Sequence, residues 1–216
     1  MPAVAIPYPS DDIAQLRHEV SGFLAAGFTH VKIKIGAGSL AEDMKRIEAV
    51  LELLPAADRL AVDAMNRFDR QSCLKVAAEL APLGLWWFED ICDPLDFDTQ
   101  AAGRKAYGRP VAAGEALFSI AEAKLLSRYG GLRPAQDILL FDPAQSYGLT
   151  HYLEIVAFFE AEGWPRSALA PWRPPLLAAG RRCPGPRRQR GQSPRLPALR
   201  RADGRGRRQR WAGWAA

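Results

Sequence analysis

The chain has 216 residues, 48% of them hydrophobic, which suffices for one sizeable core. No apolar run approaches the roughly 18 residues that cross a bilayer, and the N-terminal MPAVAIPYPSDD lacks a basic stretch followed by a long apolar one, so neither a membrane span nor a signal peptide is expected. The net charge of +5 averages two unlike segments: fourteen arginines and one aspartate follow Trp164, whereas residues 1–164 hold fifteen basic and twenty-three acidic side chains.

The three cysteines, Cys73, Cys92 and Cys183, lack metal-like spacing and read as reduced thiols of a cytoplasmic protein. Cys73 and Cys92 are expected as small buried hydrophobes.

In chain order, residues 11–28 place Ile13, Leu16, Val20 and Leu24 at helical spacing, with Gly27 as a stop. The strand THVKIKI (29–35) follows. Its period of two sends Lys32 and Lys34 to one face and Val31, Ile33 and Ile35 to the other. Residues 39–55 form a second helix, with Ser39 and Glu42 as a capping box. Four more strands are expected at 59–64, 85–90, 110–115 and 137–142. Helices are expected at 69–84, 96–108, 119–131 and 148–163.

Strict alternation of strands and helices means βα units on a parallel sheet. Such strands are covered by helices, which weakens the reading of the lysine strand as half-solvated. Lys34, Asp63, Glu89, Glu115 and Asp142 close the successive strands, at intervals of 29, 26, 26 and 27 residues. That interval is close to the ~30 residues of one unit of a (β/α)₈ barrel, whose catalytic face is the C-terminal rim. A doubly wound sheet would also place its ligand at strand C-termini, at a switch point. The fold expected is α/β: a partial TIM-type barrel of about six βα units over residues 1–164, then a disordered Arg- and Pro-rich tail over 165–216.

Asp63, Glu89 and Glu115 would converge as three carboxylates, which repel unless a cation holds them. An all-oxygen set favours a hard cation, most simply Mg²⁺. The competing reading is that each carboxylate caps the helix that follows it. A lysine beside another cation and partly desolvated has a depressed pKa and serves as a general base. The combination suits removal of a proton α to a carboxylate, with the metal holding the enediolate.

These residues resemble the enolase superfamily, in its mandelate-racemase-like branch, and within it the tartrate dehydratase-like enzymes. The resemblance rests on KIK at 32–34 and on the acidic residues of AVDAMNRFD, WWFEDICDPLD and AAGEALFS. It is carried further by RYGGLRP and FDPAQSYGL, and it runs from about Tyr8 to Trp164. It implies that Lys34 is the proton-abstracting base and that Lys32 helps bind the substrate carboxylate. It implies Asp63, Glu89 and Glu115 as Mg²⁺ ligands, and Asp142 as the Asp of a His–Asp dyad whose His expels the β-hydroxyl of a small hydroxy acid. Racemase or epimerase chemistry on the same scaffold differs only in the second base.

The chain departs from the pattern. Met65 stands where the family has Asn. The capping domain, the last barrel strands and the dyad His are not found, since His18, His30 and His151 do not close a seventh strand. Read one nucleotide later, the codons of residues 170–175 permit Pro-His-Gly-Gly-His, and those of 183–190 permit Ala-Leu-Gly-Leu-Gly-Gly-Asn, both family-like. A one-nucleotide frame change near residues 163–167 follows, with impaired dehydration. An incomplete barrel leaves an open edge that invites pairing with another chain, including a second copy. The run RADGRGRRQR could bind nucleic acid through phosphate contacts; an accidental basic tail without specific nucleic-acid binding is the expectation.

Overall fold

The computed structural model describes residues 12–169. The element order is α1 (Asp12–Ala25), β1 (Val31–Lys34), α2 (Leu40–Leu51), β2 (Leu60–Asp63), α3 (Arg70–Leu80), β3 (Trp87–Glu89), α4 (Phe97–Tyr107), β4 (Val111–Ala113), α5 (Ile120–Tyr129), β5 (Ile138–Leu139) and α6 (Leu149–Ala161). The strands form one parallel sheet in the order β1-β2-β3-β4-β5. Sequential order with a helix after every strand is the connectivity of a TIM-type barrel, here partial. Leu169 makes a parallel bridge to Leu139, so the fold continues beyond Trp164 to the start of a sixth strand. The first five residues of the expected disordered tail are therefore ordered, with a 3-10 turn at Arg166–Ala168 and buried Ala168 and Leu169; the rest of that tail and the codon window 170–175 lie outside the described residues. Among the described residues no helix is long and apolar enough to cross a membrane.

Strand alternation sorts the side chains as the sequence requires. Val31, Ile33, Leu60, Val62 and Phe88 pack outward against Leu16, Val20, Ile47, Val50 and Val76 of the helices, in the largest core cluster. Ala61, Trp87, Ala112 and Leu140 form a separate inner cluster. The register pairs Lys32 with Ala61, Lys34 with Asp63 and Asp63 with Glu89. The lysines therefore belong to the barrel interior, and the half-solvated reading of this strand is excluded: the Lys32 side chain is only 18% exposed.

The helices bring their own caps. Ser39 and Glu42 form the expected capping box. Asp69 Oδ1 accepts from Ser72 N, Asp96 Oδ1 from Thr99 N, and Ser119 Oγ from Glu122 N. Asp63, Glu89 and Glu115 are thus not the caps of the following helices, which removes the competing reading of these carboxylates. Helices α3 and α4 approach closely at Gly103, where a Cβ would lie 2.5 Å from Cys73 Sγ. Cys73 and Cys92 are buried free thiols, as expected.

Candidate metal and proton-transfer site

The C-terminal ends of β1, β2 and β3 meet at one rim. Lys32 Nζ lies against Glu89 Oε1 and 3.5 Å from Asp63 Oδ2. Asp63 Oδ1 accepts from Met65 N at 2.8 Å, which fixes its carboxylate and leaves Oδ2 facing the lysine. Glu89 Oε2 accepts from the indole Nε1 of Trp87 at 2.8 Å. Glu89 is fully buried and Asp63 nearly so.

Three carboxylates offer oxygens that all lie within 4.8 Å of one another: those of Asp63, Glu89 and Asp90. Two belong to the expected set; Asp90 does not. On a regular strand Asp90 would face away from Glu89. Its backbone adopts φ +46°, and the turn brings its carboxylate to the same side. That conformation is held by two backbone hydrogen bonds, from Asp90 N to Ala112 O and from Asn66 N to Asp90 O. Glu115 lies beyond the end of β4, half-buried and outside this group of three, yet in the field of Lys32, Glu89, Asp63 and Lys34. Asp142 lies beyond the end of β5, buried, with Oδ1 accepting from Ala144 N at 2.8 Å.

Crowded buried acids titrate late. Burial raises Glu89, with the Asp63 charge adding to it and Lys32 opposing. Burial and the charges of Glu89 and Asp63 drive Asp90 well above the usual carboxylate range. Burial raises Glu115 to about 7, against the pull of Lys32 and with the push of Glu89 and Asp63. The expected depression of a lysine pKa is reversed at Lys32. Burial works to depress it, but the charges of Glu89, Asp63 and Glu115 and the hydrogen bond to Glu89 together raise it. Lys32 is therefore a cationic partner to the acids rather than a free base.

The histidines stand elsewhere. His18 is on α1, His30 precedes β1, and His151 on α6 contacts Glu154. Sequence reasoning missed Asp90 and Trp87. Trp87 was open to it, since a residue two positions before Glu89 shares its face; Asp90 was not, because its turn is not written in the strand period.

An all-oxygen group of buried carboxylates fits a hard divalent cation. A family model described as Enolase C-terminal domain-like matches residues 15–180. That match extends past residues 163–167, where the sequence suggests a frame change. Arabinonate dehydratase from Saccharolobus solfataricus is 29% identical over 71% of this chain and 40% of its own length. The 3,6-anhydro-alpha-L-galactonate cycloisomerase of Streptomyces coelicolor is 31% identical over 69% of this chain and 40% of its own. The crystal structure of L-talarate dehydratase from Polaromonas sp. JS666, complexed with Mg and L-glucarate, superposes with a TM-score of 0.65 at 30% identity, covering 74% of this chain and 42% of that one. The chain spans about two fifths of the length of these relatives.

Proposed function

The chain belongs to the enolase C-terminal domain-like family, and from that premise we propose that its barrel rim binds Mg²⁺ and removes the proton α to the carboxylate of an acid sugar, the first half of a dehydration. The observation that carries this reading is the meeting of Lys32, Asp63 and Glu89 across adjacent parallel strands at the C-terminal rim.

Asp63 and Glu89 would hold the metal, joined by Glu115 or by the nearer Asp90. Bound there, Mg²⁺ supplies Lewis-acid stabilisation of the negative charge that develops on the substrate carboxylate. Lys34 takes the α-proton onto Nζ, and the electron pair passes into the carboxylate. Lys32, cationic among the acids, steadies that carboxylate. Loss of the β-hydroxyl as water, with a proton from a general acid, yields an enol that becomes a 2-keto acid. Asp142 orients that acid if a histidine is supplied; none of the described histidines is on the strand expected to carry it.

A tartrate-like hydroxy diacid is the substrate class favoured by the motifs. Acid-sugar dehydratases among the relatives support the reaction type. A cycloisomerase among them supports a second reading, in which the proton is returned rather than a hydroxyl lost. We further propose a shifted reading frame near residues 163–167, which takes the dyad His out of this chain and impairs dehydration. The family match reaching residue 180 argues against so early a break. The nucleotide sequence of codons 160–175, read in three frames, decides.

The test of function is proton NMR of tartrate and galactarate in D₂O with this protein, in Mg²⁺ and in EDTA. Loss of the α-hydrogen signal only with Mg²⁺ supports the reading. No exchange in any acid sugar, or exchange indifferent to Mg²⁺, overturns it.

A further inference from the structure

We propose that the indole of Trp87 is a positioning group that confines Glu89 to one-oxygen ligation and thereby favours Mg²⁺ over Ca²⁺. The inference rests on the Mg²⁺ reading above and assigns a role to a residue that is not itself a ligand.

Trp87 sits on β3 two residues before Glu89, on the same inner face. Its Nε1 donates to Glu89 Oε2 at 2.8 Å, while Oε1 lies against Lys32. The two oxygens of one carboxylate are thus separated in role. Oε1 shares Lys32 with Asp63; Oε2 is held by an indole that belongs to the inner apolar cluster. Glu89 is fully buried, so water does not compete for Oε2.

The indole has little freedom to release that oxygen. It is 2% exposed and packs with Ala61, Ala112 and Leu140, two of them small residues that leave room for it. Register pairs Ala61 with Trp87 directly. The Trp86 ring lies with its centroid 4.2 Å away, tilted by 44°. Rotation of the Glu89 carboxylate into two-oxygen ligation would take from a buried indole N–H the acceptor it has in Oε2.

That constraint bears on metal choice. Mg²⁺ demands near-octahedral geometry at about 2.0–2.1 Å and suits single carboxylate oxygens. Ca²⁺ takes more oxygens at about 2.3–2.6 Å and readily uses both oxygens of one carboxylate. With Oε2 held by the indole, Oε1, which Lys32 also contacts, is the single oxygen of Glu89 left to a metal, and that serves the first ion better than the second.

The experiment uses the full chain and Trp87→Phe, which keeps aromatic bulk and deletes the donor. Calorimetric titration with Mg²⁺ and with Ca²⁺ is expected to show Mg²⁺ affinity about tenfold weaker in the variant, as for other groups that orient a metal ligand. Ca²⁺ affinity is expected to hold or tighten, so the ratio of the two dissociation constants shifts toward Ca²⁺. An unchanged ratio in folded Trp87→Phe overturns the proposal. A second readout uses ¹⁵N- and ¹³C-labelled wild-type chain, with the Trp87 indole signal assigned by through-bond and NOE correlations within the wild-type spectrum itself. The signal is expected to shift on Mg²⁺ saturation; a signal unmoved by saturating Mg²⁺ overturns the proposal even if the variant fails to fold. Wild-type chain that binds no Mg²⁺ defeats the functional reading and this inference together, whereas wild-type binding with an unchanged variant ratio defeats this inference alone.

Discussion

Lys32 Nζ lies 3.5 Å from Asp63 Oδ2, although the register opposes Lys32 to Ala61 and Asp63 to Lys34. The contact is diagonal: the long side chain of Lys32 rises two residues along the barrel wall to reach acids at the rim. Lys32 therefore neutralises Asp63 and Glu89 from below, while Lys34 stands level with Asp63.

Lys32→Met should make the protein dependent on metal. Removing one partner of a buried pair costs about 3 kcal/mol. For a chain of this size that is roughly 6–12 °C in melting temperature, measured in EDTA. Mg²⁺ at about a hundred times its dissociation constant adds ~2.7 kcal/mol to the folded state. The variant should recover most of its loss in Mg²⁺, and its Mg²⁺-induced rise should exceed that of the parent, whose lysine competes with the ion. Equal rises in the two proteins would remove Lys32 from the metal group.

Lys34→Ala should abolish Mg²⁺-dependent exchange of the substrate α-hydrogen in D₂O, by at least about a hundredfold. Mg²⁺ binding measured by calorimetry should stay within about threefold, because Lys34 is not among the residues whose oxygens form the candidate site. Exchange that persists in the variant would take the base assignment away from Lys34.

Period and spacing made much of the architecture readable. The alternation of Lys32 and Lys34 with Val31, Ile33 and Ile35 put both lysines on one face, and the parallel βα pattern argued against that face being solvated. The near-constant interval between charged strand ends brought Asp63 and Glu89 together. Such arguments reach only as far as regular backbone. Asp90 follows a residue that it should oppose, and a positive φ reverses its direction. Glu115 and Asp142 lie two and three residues past the last paired positions of their strands, where the period no longer determines direction. The pKa of Lys32 was not readable from burial alone, because it depends on how many carboxylates converge on one ammonium.

His30 should make stability fall in mild acid. The ring is buried at the lower end of the sheet and packs against Trp86, with centroids 4.1 Å apart and the planes tilted by 42°. Arg59 Nη1 lies 3.0 Å from Nε2, and Thr29 Oγ1 lies 2.9 Å from Nδ1. A guanidinium only donates, so Nε2 accepts and the ring is neutral. Burial, and then the Arg59 charge, lower its pKa below the usual 6.5, with Asp58 opposing. The unfolded chain then takes up the proton first as pH falls. The contribution is complete above about pH 6.5 and is lost as pH drops toward the folded-state value, with a slope of at most ~1.4 kcal/mol per pH unit. Urea unfolding of the parent and His30→Gln between pH 5 and 8 isolates this from the acids at the rim. The difference between the two curves should shrink toward low pH; parallel curves would contradict the neutral ring.

Asp137 should be one of the costliest positions in the fold, although it is far from the chemistry. Its side chain is fully buried just before β5. Oδ1 accepts from Val111 N at 3.0 Å and from Arg133 Nη2 at 2.9 Å, and Oδ2 accepts from Arg133 N at 2.7 Å and Nε at 3.0 Å. Arg133 Nη2 also donates to Arg109 O at 2.9 Å. One carboxylate thus ties the loop before β5 to the first residue of β4. Asp137→Ala strands a buried backbone N–H and a partly buried guanidinium, with a cost of about 3–5 kcal/mol. Asp137→Asn keeps the shape and some acceptors, and should cost about half as much. Because the clamp lies at the N-terminal ends of the strands, Mg²⁺ affinity at a temperature where Asp137→Asn is folded should match that of the parent. A loss of metal binding in folded Asp137→Asn would mean that the two ends of this barrel are coupled.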